Sequence, residues 1–260
     1  MRILVTFAVK AEFSSWCSRH PFVPYEIENW EKRRNFDLFK ANFGPNEATV
    51  LLTGMGRKNA EEAMRTLPIE MHDVCISAGL AGALESSLKP GDVVVARTSR
   101  TLDQKLRVES DAVLVDFATA CGARAVNISL TSEKIVATAD EKQELSLSGS
   151  VIEMETSYVL MAAENHHVPA VAIRAISDAA EEDLPVDFGR ILDSRGHLKY
   201  GGLLKEVGLH PSRLAPLIKF AGQSRAATRA LADFLDRFVS TIATKWSGAP
   251  SRNVEEVSAT

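Results

Sequence analysis

The 260-residue chain is poor in cysteine, in aromatic residues and in long apolar runs. Its three cysteines, Cys17, Cys75 and Cys121, lie far apart with no CxxC pair, which excludes a disulfide framework or a cysteine-based zinc site as the organising chemistry. They are expected to be reduced thiols of a cytoplasmic protein. No stretch of 18 apolar residues exists, so no transmembrane helix is expected, although peripheral membrane contact stays open. The apolar run at the N-terminus is too short for a secretory signal. No Lys/Arg run longer than the three residues Lys32-Arg33-Arg34 offsets the net charge of −4, which argues against a nucleic-acid partner. No GxGxxG follows the first apolar run, so the dinucleotide fingerprint is missing. No metal or organic cofactor is expected. What remains is a hydrophobic content of 45% and a charged content of 25%, enough for one soluble α/β domain with a full core.

Taken in order, Ile3 to Phe7 is an apolar run suited to a strand buried on both faces, followed by a helix that carries Glu12. A meander is expected over residues 20–50, with Phe36-Asp-Leu-Phe-Lys40, a turn at Gly44-Pro-Asn46 and a strand over Ala48–Thr53. Gly54-Met-Gly56-Arg57 then opens an amphipathic helix, and such a turn offers free backbone N–H groups to an anion. Arg57 is a candidate phosphate contact, although an ion-paired surface arginine is the simpler reading. Residues 73–77 predict a strand entering a loop of small residues, Ala78-Gly79-Leu80-Ala81-Gly82-Ala83, where backbone can approach a ligand. A strand near residues 92–96, a helix over 111–121 and a strand over 125–130 follow. From residue 201 to 246 the chain predicts helices, punctuated by Pro211, Pro216 and Gly222, with Ala227, Leu231, Phe234, Leu235 and Phe238 on a core-facing stripe. Residues 247–260 predict a disordered tail, leaving 1–246 as the domain.

The segment from Val151 to Asp178 concentrates the chemistry. Glu153-Met154-Glu155 opens a helix, and a short apolar strand then ends on Arg174-Ala-Ile-Ser177-Asp178. A carboxylate just past the carboxyl end of a strand sits where open α/β sheets bind ligands, and Glu155 can point into the same crevice. Both residue types are also ordinary at those positions, Glu through the helix dipole and Asp as a turn residue.

The two motifs, their order and the helix–strand unit between them resemble the signature of the nucleoside phosphorylase and nucleosidase superfamily, whose members cut the N-glycosidic bond of nucleosides. The resemblance covers about residues 1–200 and implies a three-layer α/β/α domain with a mixed central sheet and a helical C-terminal extension. By the same resemblance Asp178 protonates the leaving purine, Glu155 and Met154 hold the ribose, and Glu12 activates a water in the nucleosidase branch. Ile135, Val136, Phe188 and Ser177 fall at the base, and Gly79, Leu80, Ala81 and Gly82 at the nucleophile. Two departures stand out: Leu80 replaces a frequent Ser or Thr, and Ile135 replaces a stacking aromatic. The length, the Ser-Ala-Gly-Leu-Ala-Gly stretch and the apolar helix near Leu214 are most similar to the hopanoid-associated phosphorylase branch, thought to remove adenine from a triterpenoid lipid nucleoside. That similarity implies an adenine nucleoside as substrate, inorganic phosphate as co-substrate and a homo-oligomer. A carboxylate at Glu12 instead suits hydrolysis, because it would repel phosphate.

Overall fold

A computed structural model describes residues 1–25, 36–186, 212 and 214–246. Among them a mixed sheet carries the fold. Strand β1 (Arg2–Phe7) lies at its centre, parallel to β4 (Asn46–Leu52) on one side and to β5 (Val74–Ala83) on the other. Beyond β4 the meander adds β3 (Asp37–Phe43) and the short β2 (Val23–Pro24). On the other side the sheet turns back on itself. Strand β10 (Ala170–Asp178) runs parallel to β5 and antiparallel to β6 (Val93–Thr101); β6 continues to β8 (Arg124–Thr131), then β9 (Val151–Glu153), which returns to β5. The closed turn through β5, β10, β6, β8 and β9 brings the two sequence motifs against one strand. Strand β7 (Arg107–Glu109) pairs along the edge of β6.

Helices cover both faces because each central strand is apolar on both sides. All nine residues of β10 are buried, as are five of the six in β1. One layer packs α1 (Lys10–Cys17), α3 (Ala112–Ala120) and α6 (Leu214–Lys245) through Phe13, Trp16, Leu114, Phe234 and Phe238. The opposite layer packs α2 (Arg57–Thr66) and α5 (Thr156–Asn165) through Met64, Val159 and Leu160. A short helix, α4 (Ala139–Leu145), is capped by Thr138, whose hydroxyl accepts from the Glu141 N–H while the Glu141 carboxylate reaches back to the Thr138 N–H. The three-layer expectation is met, with the added closure of the sheet.

Two local expectations change. Residues 78–83 are not a loop: the small residues extend β5 to Ala83, paired with β10 and β9. The chain from Leu214 is one continuous helix rather than a punctuated pair. Pro216 falls in its first turn, where a missing N–H costs nothing. Its apolar C-terminal stripe is buried as expected, whereas Leu214 and Ile218 are exposed. The predicted tail at 247–260 and the helical expectation for 201–211 lie outside the described residues.

Candidate active site

A small pocket opens at the carboxyl ends of the parallel strands, lined by Glu12, Thr53, Ser77, Leu80, Glu155 and Arg174 among others. Each side chain arrives there for a local reason. Glu12 lies in the first turn of α1, and one carboxylate oxygen accepts from the N–H groups of Ala8 (3.0 Å) and Val9 (3.2 Å), donors that a helix start leaves unpaired. Its other oxygen accepts from the Leu80 N–H at 2.8 Å. Burial pushes the Glu12 carboxyl up, an effect only partly offset by these N–H donors and the charge of Arg174.

Leu80 therefore serves the site through its main chain, while its side chain packs against the core. The departure from Ser or Thr at this position leaves the donor to Glu12 in place. The glycines on either side have a steric reason as well. A Cβ at Gly79 would lie 2.9 Å from Glu12 Oε1, and one at Gly82 would lie 3.0 Å from Asp178 Oδ2. The small residues of β5 thus let two carboxylates press against one strand at points roughly 10 Å apart.

Glu155 is the N-cap of α5, and its Oε1 accepts from the Gly56 N–H at 2.6 Å, tying it to the start of α2. Gly56 has a positive φ of 79°, so the turn needs a residue without a Cβ. Met154 stands beside it, 3.8 Å from where a Gly56 Cβ would be. Beneath lies Glu153, buried, whose carboxylate accepts from Arg174 Nη2 (2.9 Å), Thr131 Oγ1 (2.6 Å) and the N–H groups of Glu155 and Thr156. Burial opposes the Glu153 charge, but the Arg174 guanidinium and the hydroxyls outweigh it and hold the carboxyl below its ordinary range. Burial, with the Glu153 anion next to it, pushes Glu155 up to about 8. One of the two neighbours is thus the anion and the other readily carries a proton.

Asp178 ends β10 just past a register shift, with its carboxylate turned toward Gly82. It is buried. Ser177 Oγ donates to its Oδ1 and Lys142 Nζ to its Oδ2, each at 2.5 Å. Val136 is buried beside Leu84, Leu130 and Ile152, and Ile135 is half-buried next to it. Phe188 lies outside the described residues. Arg57 does not line the pocket: it is half exposed and paired with Glu61 and Glu133, so the phosphate contact expected of it gives way to a surface ion pair.

Sequence reasoning left three polar side chains without a role. Glu153 and Arg174 stand inside the quoted motifs, and their buried pairing was readable only once β9 and β10 were placed together. Lys142 carried no signal, since it lies in the charged run Ala139-Asp-Glu-Lys-Gln-Glu, which reads as a solvated face. Among the described residues no group of His, Cys, Asp and Glu is arranged to hold a metal ion.

Fold and pocket define a class before any particular relative is considered: an α/β protein whose strand ends gather buried carboxylates around a small polar pocket. The family model described as the phosphorylase superfamily matches residues 2–195, and the chain belongs to that superfamily. Among solved structures it is similar to futalosine hydrolase of Helicobacter pylori, with a TM-score of 0.70, 16% identity, and coverage of 93% of this chain and 98% of that one. It is also similar to 5'-methylthioadenosine/S-adenosylhomocysteine nucleosidase of Neisseria meningitidis in complex with methylthio-immucillin-A, at a TM-score of 0.69, 19% identity, and coverage of 92% and 99%. S-adenosylhomocysteine nucleosidase of Streptococcus pyogenes, in complex with 5-methylthiotubericidin, gives a TM-score of 0.69 at 19% identity, covering 93% and 97%. At these identities the likeness is one of fold.

Proposed function

We propose that the protein is an N-ribosyl hydrolase that releases the base, adenine in the first instance, from a purine nucleoside. The observation that carries hydrolysis is that the donors at the pocket are already engaged. Glu12 and Glu155 both line it, and the one guanidinium there among the described residues, Arg174, is spent on Glu153, Ser77 and Thr156. The Leu80 and Gly56 N–H groups that an anion would seek are taken by the two carboxylates. A phosphate dianion would enter beside the Glu12 carboxyl and find both of these N–H donors taken. A water meets a carboxylate of raised basicity instead.

The reaction divides among three carboxyl groups. Glu12 takes a proton from water as the water oxygen bonds to the anomeric carbon, and a carboxyl whose proton affinity burial has raised suits that work near neutral pH. The bond from the anomeric carbon to the purine nitrogen breaks through an oxocarbenium-like sugar. Glu155 and Met154 hold the ribose face, with Glu155 accepting from its hydroxyls. Asp178 gives the departing purine a proton. Ile135 and Val136 supply an apolar wall in place of an aromatic ring.

The comparisons support cleavage of a nucleoside bond as the reaction class: the proteins of similar fold are named as hydrolases of futalosine, methylthioadenosine and S-adenosylhomocysteine. A second reading has a lipid-tailed adenine nucleoside as substrate, cleaved by phosphorolysis; the exposed apolar start of α6 at Leu214 and Ile218 supports the lipid tail alone. The test is base release from adenosine and from adenosines with apolar 5'-substituents, with and without inorganic phosphate. Release that ignores phosphate supports the hydrolase. Release that requires it overturns hydrolysis and leaves Glu12 without a part in activating the nucleophile.

A further inference from the structure

Among the described residues Lys142 is the one lysine that is fully buried, with a relative exposure of 0%, and none of the three steps above uses it. Burying an ammonium is costly unless every proton finds an acceptor. Here each one does: Nζ donates to Asp178 Oδ2 at 2.5 Å, to the Ala179 carbonyl at 2.8 Å and to the Glu182 carbonyl at 2.7 Å. The helix that delivers it, α4, is only seven residues long, and is fixed at its start by the Thr138–Glu141 box and by the Asp183 carboxylate on the Ala139 N–H. Asp183 and Glu182 belong to the segment that follows Asp178. The Glu182 carboxylate in turn accepts from Lys219 and Gln223 of α6. Five contacts thus fasten α4 and α6 to the few residues after Asp178.

Such an arrangement is stronger than a fold needs, because replacing a buried ion pair by apolar side chains of similar size is often neutral or stabilising. Its value lies in what it does for one carboxyl group. When an acid gives up its proton it becomes an anion, and in a buried place that anion needs a fixed cation. Resting on the nucleosidase reading, we propose that Lys142 is the positioning residue that stabilises the Asp178 carboxylate formed as Asp178 passes its proton to the leaving base. In that step the carboxyl O–H bond breaks with its electron pair left on Asp178, and an N–H bond forms on the purine. The close approach of Lys142 Nζ to Asp178 Oδ2 suits the state after transfer. Solvent returns the proton before the next turnover. Ser177, donating to Oδ1 from the other side, completes the setting of the carboxylate.

The test compares Lys142→Met, Asp178→Asn and the double variant on two substrates: adenosine, and an N7-methylated purine nucleoside whose base already carries the positive charge and needs no proton. On adenosine, Lys142→Met is expected to lower kcat by about 100-fold with KM little changed, the scale of general acid catalysis. The double variant should lose no more than Asp178→Asn alone, since both changes remove one function. On the methylated nucleoside all three should stay within about threefold of wild type. The double variant also removes both charges, so it tests folding without an unpaired buried carboxylate. Equal loss on both substrates, additive losses, or a Lys142→Met protein as fast as wild type would overturn the inference. A wild-type protein that releases base from neither substrate would overturn the nucleosidase reading itself, and this inference with it.

Discussion

Replacing Gly79 by alanine should separate catalysis from folding. The glycine has ordinary strand backbone, without the positive φ recorded at Gly54 or Gly56, so alanine brings no conformational strain. Its added Cβ would lie 2.9 Å from Glu12 Oε1 and 3.3 Å from the carboxyl carbon, about 0.5 Å inside normal contact. Strand β5 yields less readily than a side-chain end, because Gly79 is paired with Arg174 of β10 and β1 holds the strand up to Ser77. Glu12 has to move, and it loses the 2.8 Å bond from the Leu80 N–H as it does so. A displacement of that size in a group that aligns the nucleophile costs on the order of 10- to 100-fold in kcat. The cost to the fold is only about 1 kcal/mol, since the obstacle is a side-chain end. Gly222→Ala is the control: it sits in α6 with nothing within 4 Å of its added Cβ, and should raise stability by up to about 1 kcal/mol with unchanged activity. Base-release kinetics and thermal melts on both proteins provide the assay. A Gly79→Ala protein within twofold of wild type in kcat would show that Glu12 is not held where the chemistry needs it.

Three further outcomes follow from the same site. Arg174→Met leaves the Glu153 carboxylate buried without its cation, and should cost about 3–5 kcal/mol in urea denaturation; a loss under about 1 kcal/mol would refute the pairing as a structural need. Glu155 is raised from 4.5 to about 8, so it holds a proton in the folded state that it has released in the unfolded chain. Its contribution to stability is present below about pH 4.5 and fades as the pH climbs through about 8, and Glu155→Gln should flatten that decline in a melting series. An unchanged slope would contradict the assignment. Gly82→Ala should disturb Asp178 as Gly79→Ala disturbs Glu12, because its Cβ would meet Oδ2 at 3.0 Å and Ile152 Cγ2 at 3.3 Å. Its loss of rate should vanish on an N7-methylated nucleoside, and a loss that persists there would point to damage other than to proton transfer.

How much of this was legible beforehand depends on how local each cause is. The apolar runs at β1 and β10 announced buried strands, and the stripe from Ala227 to Phe238 announced a core helix, because burial of consecutive or helically spaced residues is written directly in sequence. Glu12, Glu155 and Asp178 were found through strand ends and the quoted motifs. The extension of β5 through Gly79 and Gly82 was missed since small residues carry weak strand preference, and their purpose is to admit carboxylates from distant parts of the chain. Lys142 was invisible for a similar reason. Its partners lie 36 to 40 residues away, and a lysine in a charged helix reads as solvent-facing until the chain returns over it.

The account rests on Glu12 activating water. The most direct measurement supplies the wild-type enzyme with adenosine under saturating inorganic phosphate and identifies the sugar product by phosphorus and proton NMR. Free ribose, formed at the same rate as without phosphate and lost in Glu12→Gln, is the predicted result. Ribose 1-phosphate, or free ribose undiminished in Glu12→Gln, would contradict it.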